Sequence, residues 1–190
     1  MNNVKEQILN LIRNENKSEA FIYSQNALKE KKLTIRELYE DVLRNALYEI
    51  DCLENDAECI WKEHVKSAIV RSIIEGSYTY VLEESKLVKK RNKKVLVVCP
   101  VEEYHEIGAK MAHDYFLLTG FDATFIGANT PLDVILNAVT YTKPDYLAIS
   151  VTNYYNIINA KRIIEKVKSV KENMVILGGG QAFGSQDALD

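Results

Sequence analysis

The sequence contains few of the residues that interrupt or cross-link a chain. Its 190 residues include three prolines, eight glycines and three cysteines. The cysteines, Cys52, Cys59 and Cys99, have neither metal-site spacing nor the even number of a disulfide framework, so we expect packing side chains in a reducing, cytoplasmic protein. No apolar run approaches the roughly 20 residues that cross a bilayer, and the helix-like start is not a signal peptide. We therefore expect no membrane segment.

An excess of positive charge is also missing. The formal net charge is −3, whereas surfaces that bind nucleic acid concentrate Lys and Arg. Direct binding to DNA is therefore not expected. The one basic run, residues 86–94 with six Lys and Arg residues, is interpreted as a solvated linker (89–94) and not as a site for an anionic partner, because the rest of the chain is acidic.

Residues 1–88 have the composition of a helical bundle. They contain a single glycine, Gly76, and no proline, and their apolar residues recur at helical spacing. Thr34 followed by Glu37 is a capping box, which starts a helix. The pattern predicts four amphipathic helices that pack against one another as a four-helix bundle. Their expected bounds are about 3–14, 18–31, 34–53 and 57–86.

Residues 95–190 follow a different pattern, in which apolar runs alternate with segments of helical period. Strands are predicted at 95–99, 122–126, 146–150 and 174–177, and helices at 104–118, from Thr130 onwards and at 154–170. Alternation with short connections predicts a doubly wound, parallel, flavodoxin-like sheet. Such sheets bind ligands outside the carboxyl ends of their strands.

Polar residues and glycines that could bind a ligand follow three of these strands. They are Glu103, His105 and Gly108 after the first strand, Ser150 and Thr152 after the third, and Gly178 with Gly179 after the fourth. A neutral His105 can ligate a metal through one ring nitrogen while the other donates to a carboxylate. Gly108 allows a large ligand to approach the helix start. A dinucleotide-binding glycine motif would follow the first strand, whereas the glycine cluster of this chain follows the fourth, so NAD and FAD are disfavoured. No P-loop is present either.

These residues, in this order, resemble the Asp-x-His-x-x-Gly, Ser-x-Leu/Thr and Gly-Gly signature of cobalamin-binding domains. The preceding bundle resembles the helical cap of that family. The stretches 103–108 and 129–132, together with the pair Glu63-His64, look most like the cobalamin-binding module of MerR-type cobalamin-dependent photoreceptors and regulators. The architecture is also similar to corrinoid methyl-carrier proteins.

The resemblance implies a cofactor site. Cobalamin would bind with its tail base off cobalt and with His105 as the lower ligand, while Glu103 and Ser150 would support the histidine. Thr152 and the glycines near Gly178 and Gly179 would line the nucleotide tail. Glu63 and His64 would face the upper side, whose ligand (adenosyl, methyl or hydroxo) stays open.

The chain departs from the photoreceptor pattern at several positions. Glu103 stands where most of the family has Asp, and Leu53-Glu54 stands where the photoreceptors have Trp-His. Trp61 is expected in the core, and His113 at the surface or packed. The sequence ends at Asp190, before the last strand and helix of the family, which we expect the domain to lack.

Three functions are compatible with these patterns. The favoured one is a cobalamin-binding sensor or regulatory module that signals through a partner protein or a homo-oligomer. The alternative is a corrinoid methyl carrier, a subunit of a methyltransferase system; we expect no enzymatic activity of the chain itself unless it is such a component. The third is a flavodoxin-like docking domain without cofactor, which a corrin absorbance spectrum would exclude.

Overall fold

The structure, a computed structural model, describes residues 2–49 and 57–184. It divides into two compact units, Met1–Glu83 and Glu84–Asp190. The first is helical, and the second contains a parallel sheet flanked by helices. The predicted fold class, a helical region followed by a doubly wound parallel sheet, is confirmed. None of the described helices is both long and apolar enough to cross a membrane.

The first unit contains helices close to those predicted, with one irregularity. The third predicted helix has a π-helical turn in its middle, and the part of it beyond residue 49 lies outside the described residues. The helical elements are α1 (Asn2–Arg13), α2 (Lys17–Lys29), α3 (Ile35–Glu37), the π-helical turn (Leu38–Leu43), α4 (Arg44–Tyr48) and α5 (Ala57–Ser85).

The helices of this unit bury large apolar side chains, as their spacing predicts. Large side chains that are almost fully buried include Ile8, Ile12, Ile35, Leu38, Tyr39, Leu43, Ile69 and Ile73. Burying each such side chain stabilises the fold by roughly 1.5–3 kcal/mol. Gly76 on α5 lies against the ring of Phe21 on α2, where a Cβ atom would clash. This close approach explains the single glycine of the helical half.

The capping box begins α3 as predicted. Thr34 Oγ1 accepts a hydrogen bond from Glu37 N (3.1 Å), and Glu37 Oε2 accepts one from Thr34 N (3.0 Å). Lys5 Nζ lies 3.0 Å from Glu37 Oε1. The backbone bond from Thr34, and then the bond from Lys5, lower the pKa of Glu37 to about 2.

We expect this low pKa to make the helical unit sensitive to acid. A carboxylate whose pKa is lower in the folded than in the unfolded chain stabilises the fold above the unfolded-state value, 4.5 for Glu37, and loses that contribution as pH falls toward 2. Glu37→Gln should remove this part of the pH dependence. Urea unfolding followed by circular dichroism at neutral pH and near pH 3 measures it. An equal loss of stability on acidification in both proteins would contradict the expectation.

The second unit is built around four parallel strands in the order β2-β1-β3-β4. The elements are β1 (Lys94–Val98), α6 (Ile107–Leu118), β2 (Asp122–Phe125), α7 (Leu132–Thr142), β3 (Tyr146–Ser150), α8 (Ile157–Val170) and β4 (Val175–Gly179). Leu96 and Val98 of β1 join the core on one face of the sheet with α7 and α8, and Val95 and Val97 join the core on the other face with α6. The strand is therefore covered on both faces, as its continuous apolar run predicts.

Part of the basic run before β1 contacts other segments of the second unit, to which the run belongs. The guanidinium of Arg91 donates to Thr119 O (2.8 Å) and lies 5.0 Å from the centre of the Phe121 ring. Lys93 Nζ lies 2.7 Å from Asp145 Oδ1. These contacts fix the chain at the amino end of the sheet.

Two sequence-based expectations are wrong. Trp61 on α5 is half exposed and not in the core. Cys59 is disulfide-bonded, whereas the cysteine spacing gave no sign of pairing. Cys99 is free and buried, as expected, and Cys52 lies outside the described residues.

Candidate functional site

The residues predicted to bind a ligand lie where the parallel strands end. β1 ends at Val98, and the turn that follows carries His105 to the start of α6. Ser150, the last residue of β3, is paired in register with Gly179 of β4. The sheet therefore brings three separate stretches of sequence to one edge, as predicted for a doubly wound sheet.

His105 and Glu103 form a close pair at this edge. His105 Nδ1 lies 2.6 Å from Glu103 Oε1, which also accepts a hydrogen bond from His105 N (3.0 Å). Glu103 is fully buried, while the His105 side chain is 57% exposed. An ionised carboxylate can only accept, so Nδ1 carries a proton, and in the neutral imidazole the lone pair of Nε2 is then available to a metal.

The second carboxylate oxygen of Glu103 is held by the segment after β3. Oε2 accepts hydrogen bonds from Thr152 N and Asn153 N, both 2.9 Å, and from Asn156 Nδ2, 3.2 Å. Burial acts to raise the pKa of Glu103. The bonds from Asn153, His105 and Asn156 outweigh burial, so the net pKa lies below its ordinary value. The carboxylate therefore stays ionised although it is buried.

Asn156 is a site residue that the sequence did not reveal. Its side chain is buried and donates to Glu102 O (3.1 Å) as well as to the Glu103 carboxylate. It ends the 3₁₀ turn Tyr154–Asn156 and precedes α8. The only sequence signal is its position a few residues after a strand end, because its two partners are more than fifty residues away along the chain.

Ser150 and Thr152 reach the edge in different ways. Thr152 contacts Glu103 through its backbone N–H. In the part of the chain that the structure describes, the Glu103 carboxylate accepts hydrogen bonds from N–H groups of His105, Thr152, Asn153 and Asn156. The hydroxyls of Ser150 and Thr152 are not among its partners. Both hydroxyls remain predicted contacts for a ligand.

The glycines at the edge differ in what surrounds them. A Cβ atom added to Gly108 or Gly179 would meet nothing within 4 Å, whereas one added to Gly178 would lie 3.0 Å from the ring of Phe183. Gly180 has a φ of 104°, and its Cβ would clash with Val151 O, so only glycine fits there. The open space beside Gly108 and Gly179 suits a large ligand that packs directly on the backbone.

Cys99 follows β1 directly and is buried. Burial, and then the charges of Glu103 and Glu106, raise the pKa of its thiol to about 12. A thiolate, the form that binds metals, is therefore almost absent at neutral pH. The imidazole of His105 stays the predicted metal ligand of this turn.

Other candidate residues lie elsewhere in the fold. Glu63 is half-buried and His64 exposed on α5 of the first unit. His113 on α6 is mostly buried beside Asp114, with Nδ1 2.9 Å from Asp114 Oδ1, in line with a packing role. Tyr154 and Tyr155 are exposed after β3. Leu53 and Glu54 lie outside the described residues.

A known structure shares this fold, and two others match it with lower scores. A corrinoid protein for monomethylamine from Methanosarcina barkeri matches with a TM-score of 0.80 and 12% identity, over 100% of this chain and 89% of that one. The methanol:cobalamin methyltransferase complex MtaBC from the same organism has a TM-score of 0.48 and 18% identity, over 97% and 70%. A cobalamin-binding protein from Desulfitobacterium hafniense has a TM-score of 0.46 and 11% identity, over 95% and 89%. The first of these three carries the comparison of folds. No curated protein sequence matches the chain.

A family model gives the identity of the second unit. The model described as the B12 binding domain matches residues 93–189. This range includes the whole described sheet and every candidate residue at its carboxyl edge. The match confirms the cofactor predicted from the sequence, cobalamin. The chain belongs to the B12 binding domain family.

Proposed function

We propose that this protein carries cobalamin with the tail base off cobalt and His105 Nε2 as the lower ligand. The observation that carries the proposal is the Glu103–His105 pair, with its 2.6 Å contact and its position at the carboxyl edge of β1. Glu103 is fixed by backbone N–H groups from another loop, so the imidazole is oriented before any ligand binds. When bound, the cofactor supplies a cobalt centre that accepts and releases a methyl or adenosyl group.

Residues around the pair supply the remaining proposed contacts. The open backbone at Gly108 and Gly179 is where the bulk of the cofactor would pack. Ser150, Thr152 and Gly178 would border the nucleotide tail. Glu63 and His64 are proposed contacts for the upper ligand, because this pair resembles the Glu-His pair on the cap helix of the photoreceptor branch.

Within this assignment, the role we favour is a corrinoid carrier that presents cobalamin to a methyltransferase partner. The supporting observation is that the similarity to the monomethylamine corrinoid protein includes the helical unit as well as the sheet, since it covers 100% of this chain. A carrier needs no chemistry of its own beyond holding and orienting the cofactor. The residues of the site do both.

The test is to load the purified protein with methylcobalamin and to add a corrinoid methyltransferase with a thiol acceptor. We expect the absorbance of the bound methyl form to be lost and methylated thiol to accumulate at a rate above that of free methylcobalamin. The His105→Ala protein, loaded in the same way, is the control. Transfer no faster than from free methylcobalamin would contradict the carrier role.

The second candidate is a sensor or regulatory module of the photoreceptor type. It is supported by glutamate at position 103 and by the Glu63-His64 pair, which resemble that branch of the family. Such a module should change its association when the adenosyl complex is illuminated. A light-induced change in molar mass, measured by light scattering on a sizing column, together with no methyl transfer, would favour this function.

A further inference from the structure

The backbone that leads to His105 contains an unusual conformation. Glu102 has a φ of 67°, in the left-handed region that residues with a side chain rarely adopt. Glu103 is the next residue, and its buried carboxylate is hydrogen-bonded to the His105 ring. The geometry of the Glu103–His105 pair therefore depends on the hydrogen bonds that hold Glu102 in this conformation.

Asn129, in the loop between β2 and α7, makes two bonds to this turn. Its Oδ1 accepts a hydrogen bond from Glu102 N (2.8 Å), and its own N–H donates to Glu103 O (2.8 Å). Asn129 is itself left-handed, with a φ of 49°, a conformation that asparagine tolerates better than most residues. The two bonds bracket the backbone of Glu102 and Glu103 from one side.

The turn itself is closed by a hydrogen bond from Glu103 N to Pro100 O (3.0 Å). Two further side chains among the described residues donate to carbonyl groups of the turn. Asn156 Nδ2 donates to Glu102 O, and Asn159 Nδ2 donates to Val101 O, both at 3.1 Å. Neither bond restrains the Glu102 N–H. The Oδ1 atom of Asn129 is therefore the hydrogen-bond acceptor that holds the Glu102 amide in place.

We propose that Asn129 is a positioning residue for the lower ligand, acting through the backbone of Glu102 and Glu103 without contact to His105. The inference rests on the proposed ligation of cobalt by His105. It assigns to the β2–α7 loop a role in fixing where the imidazole stands. The asparagine is required for two separate properties, its side-chain acceptor and its tolerance of the left-handed backbone.

Two substitutions separate these properties. Asn129→Gly keeps the left-handed backbone and the N–H bond to Glu103 O but removes the acceptor for Glu102 N. Asn129→Asp keeps the acceptor as well and should restore function. Asn92→Ala is a control, because Asn92 is also left-handed, with a φ of 53°, and precedes β1 at the amino end of the sheet.

The experiment uses the full chain and hydroxocobalamin. We expect Asn129→Gly to weaken binding by about tenfold, as removal of a supporting hydrogen bond around a metal ligand does, and to accelerate hydrogen exchange of the Glu102 amide in the cofactor-free protein. Asn129→Asp and Asn92→Ala should bind as the wild type does. Electron paramagnetic resonance of the cobalt(II) form should show the nitrogen coupling of His105 weakened or heterogeneous in Asn129→Gly alone.

The outcomes keep this inference distinct from the proposed function. If Asn129→Gly retains wild-type affinity, nitrogen coupling and amide exchange while His105→Ala loses the coupling, the positioning role is overturned and the ligation stands. If His105→Ala also keeps the coupling, the proposed ligation itself is wrong. Loss of affinity in Asn92→Ala to the same extent would overturn the positioning role too, because the effect would then be general.

Discussion

His105→Ala is expected to remove the nitrogen ligand below cobalt. The tail base is proposed to lie away from the metal, so no second imidazole replaces the lost one. The protein should then either release the cofactor or hold it with the spectrum of cobalamin that lacks a lower nitrogen ligand. We expect affinity for hydroxocobalamin to fall by about 100-fold, the upper end of what metal sites lose when a supporting residue is removed. Equilibrium dialysis and absorbance measure both effects.

His113→Ala is the matched control for this experiment. It removes a second imidazole eight residues further along the chain, whose Nδ1 pairs with Asp114 in the same unit. We expect a loss of stability from the vacated space and no change in cofactor spectrum. A His105→Ala protein with wild-type affinity and spectrum would show that another group ligates the metal.

Glu103→Ala is expected to destabilise the protein even without cofactor. The carboxylate accepts five hydrogen bonds from buried or partly buried N–H groups. Removal leaves the backbone amides of His105, Thr152 and Asn153 without this partner, at a cost of about 1–3 kcal/mol for each one that water does not reach. We expect the free energy of unfolding of the second unit to fall by about 3 kcal/mol, measured by urea denaturation.

Glu103→Gln isolates the charge. The pKa of Glu103 is lowered in the folded protein, so its contribution to stability is present above the unfolded-state pKa, near 4.5, and is lost as pH falls through the folded-state value. The glutamine variant should lack this loss, while Glu102→Gln, a change at the exposed neighbour, should retain it. If Glu103→Ala and Glu102→Ala cost the same, the buried carboxylate does not organise the two loops.

The sequence predicted the parts of the site that are local in the chain. Glu103 and His105 are two residues apart, and a turn after a buried strand allows few arrangements of such a pair. The Ser150 and Gly179 positions followed from the edge of a parallel sheet. Asn129 and Asn156 were not predicted as site residues, because their contacts join loops that only the folded sheet brings together.

The helical half shows the same limit. Apolar residues at helical spacing predicted that the helices of this half pack against one another, because amphipathic helices bury one stripe. It did not predict the π-helical turn at Leu38–Leu43, which depends on backbone hydrogen bonding within one turn. The exposure of Trp61 was also missed, because large aromatic residues are usually expected to be buried, whereas this one is half exposed on α5.

The position of Trp61 makes the two units optically distinguishable. It is the one tryptophan of the chain, it lies half exposed on α5, and the sheet unit carries none. Indole emission excited at the red edge of its absorption therefore reports on the helical unit alone, whereas far-ultraviolet circular dichroism follows both. If the two units unfold independently, the fluorescence and circular dichroism signals will give different midpoints in a urea titration. A spectroscopist can thus assign each transition without cutting the chain or adding a label.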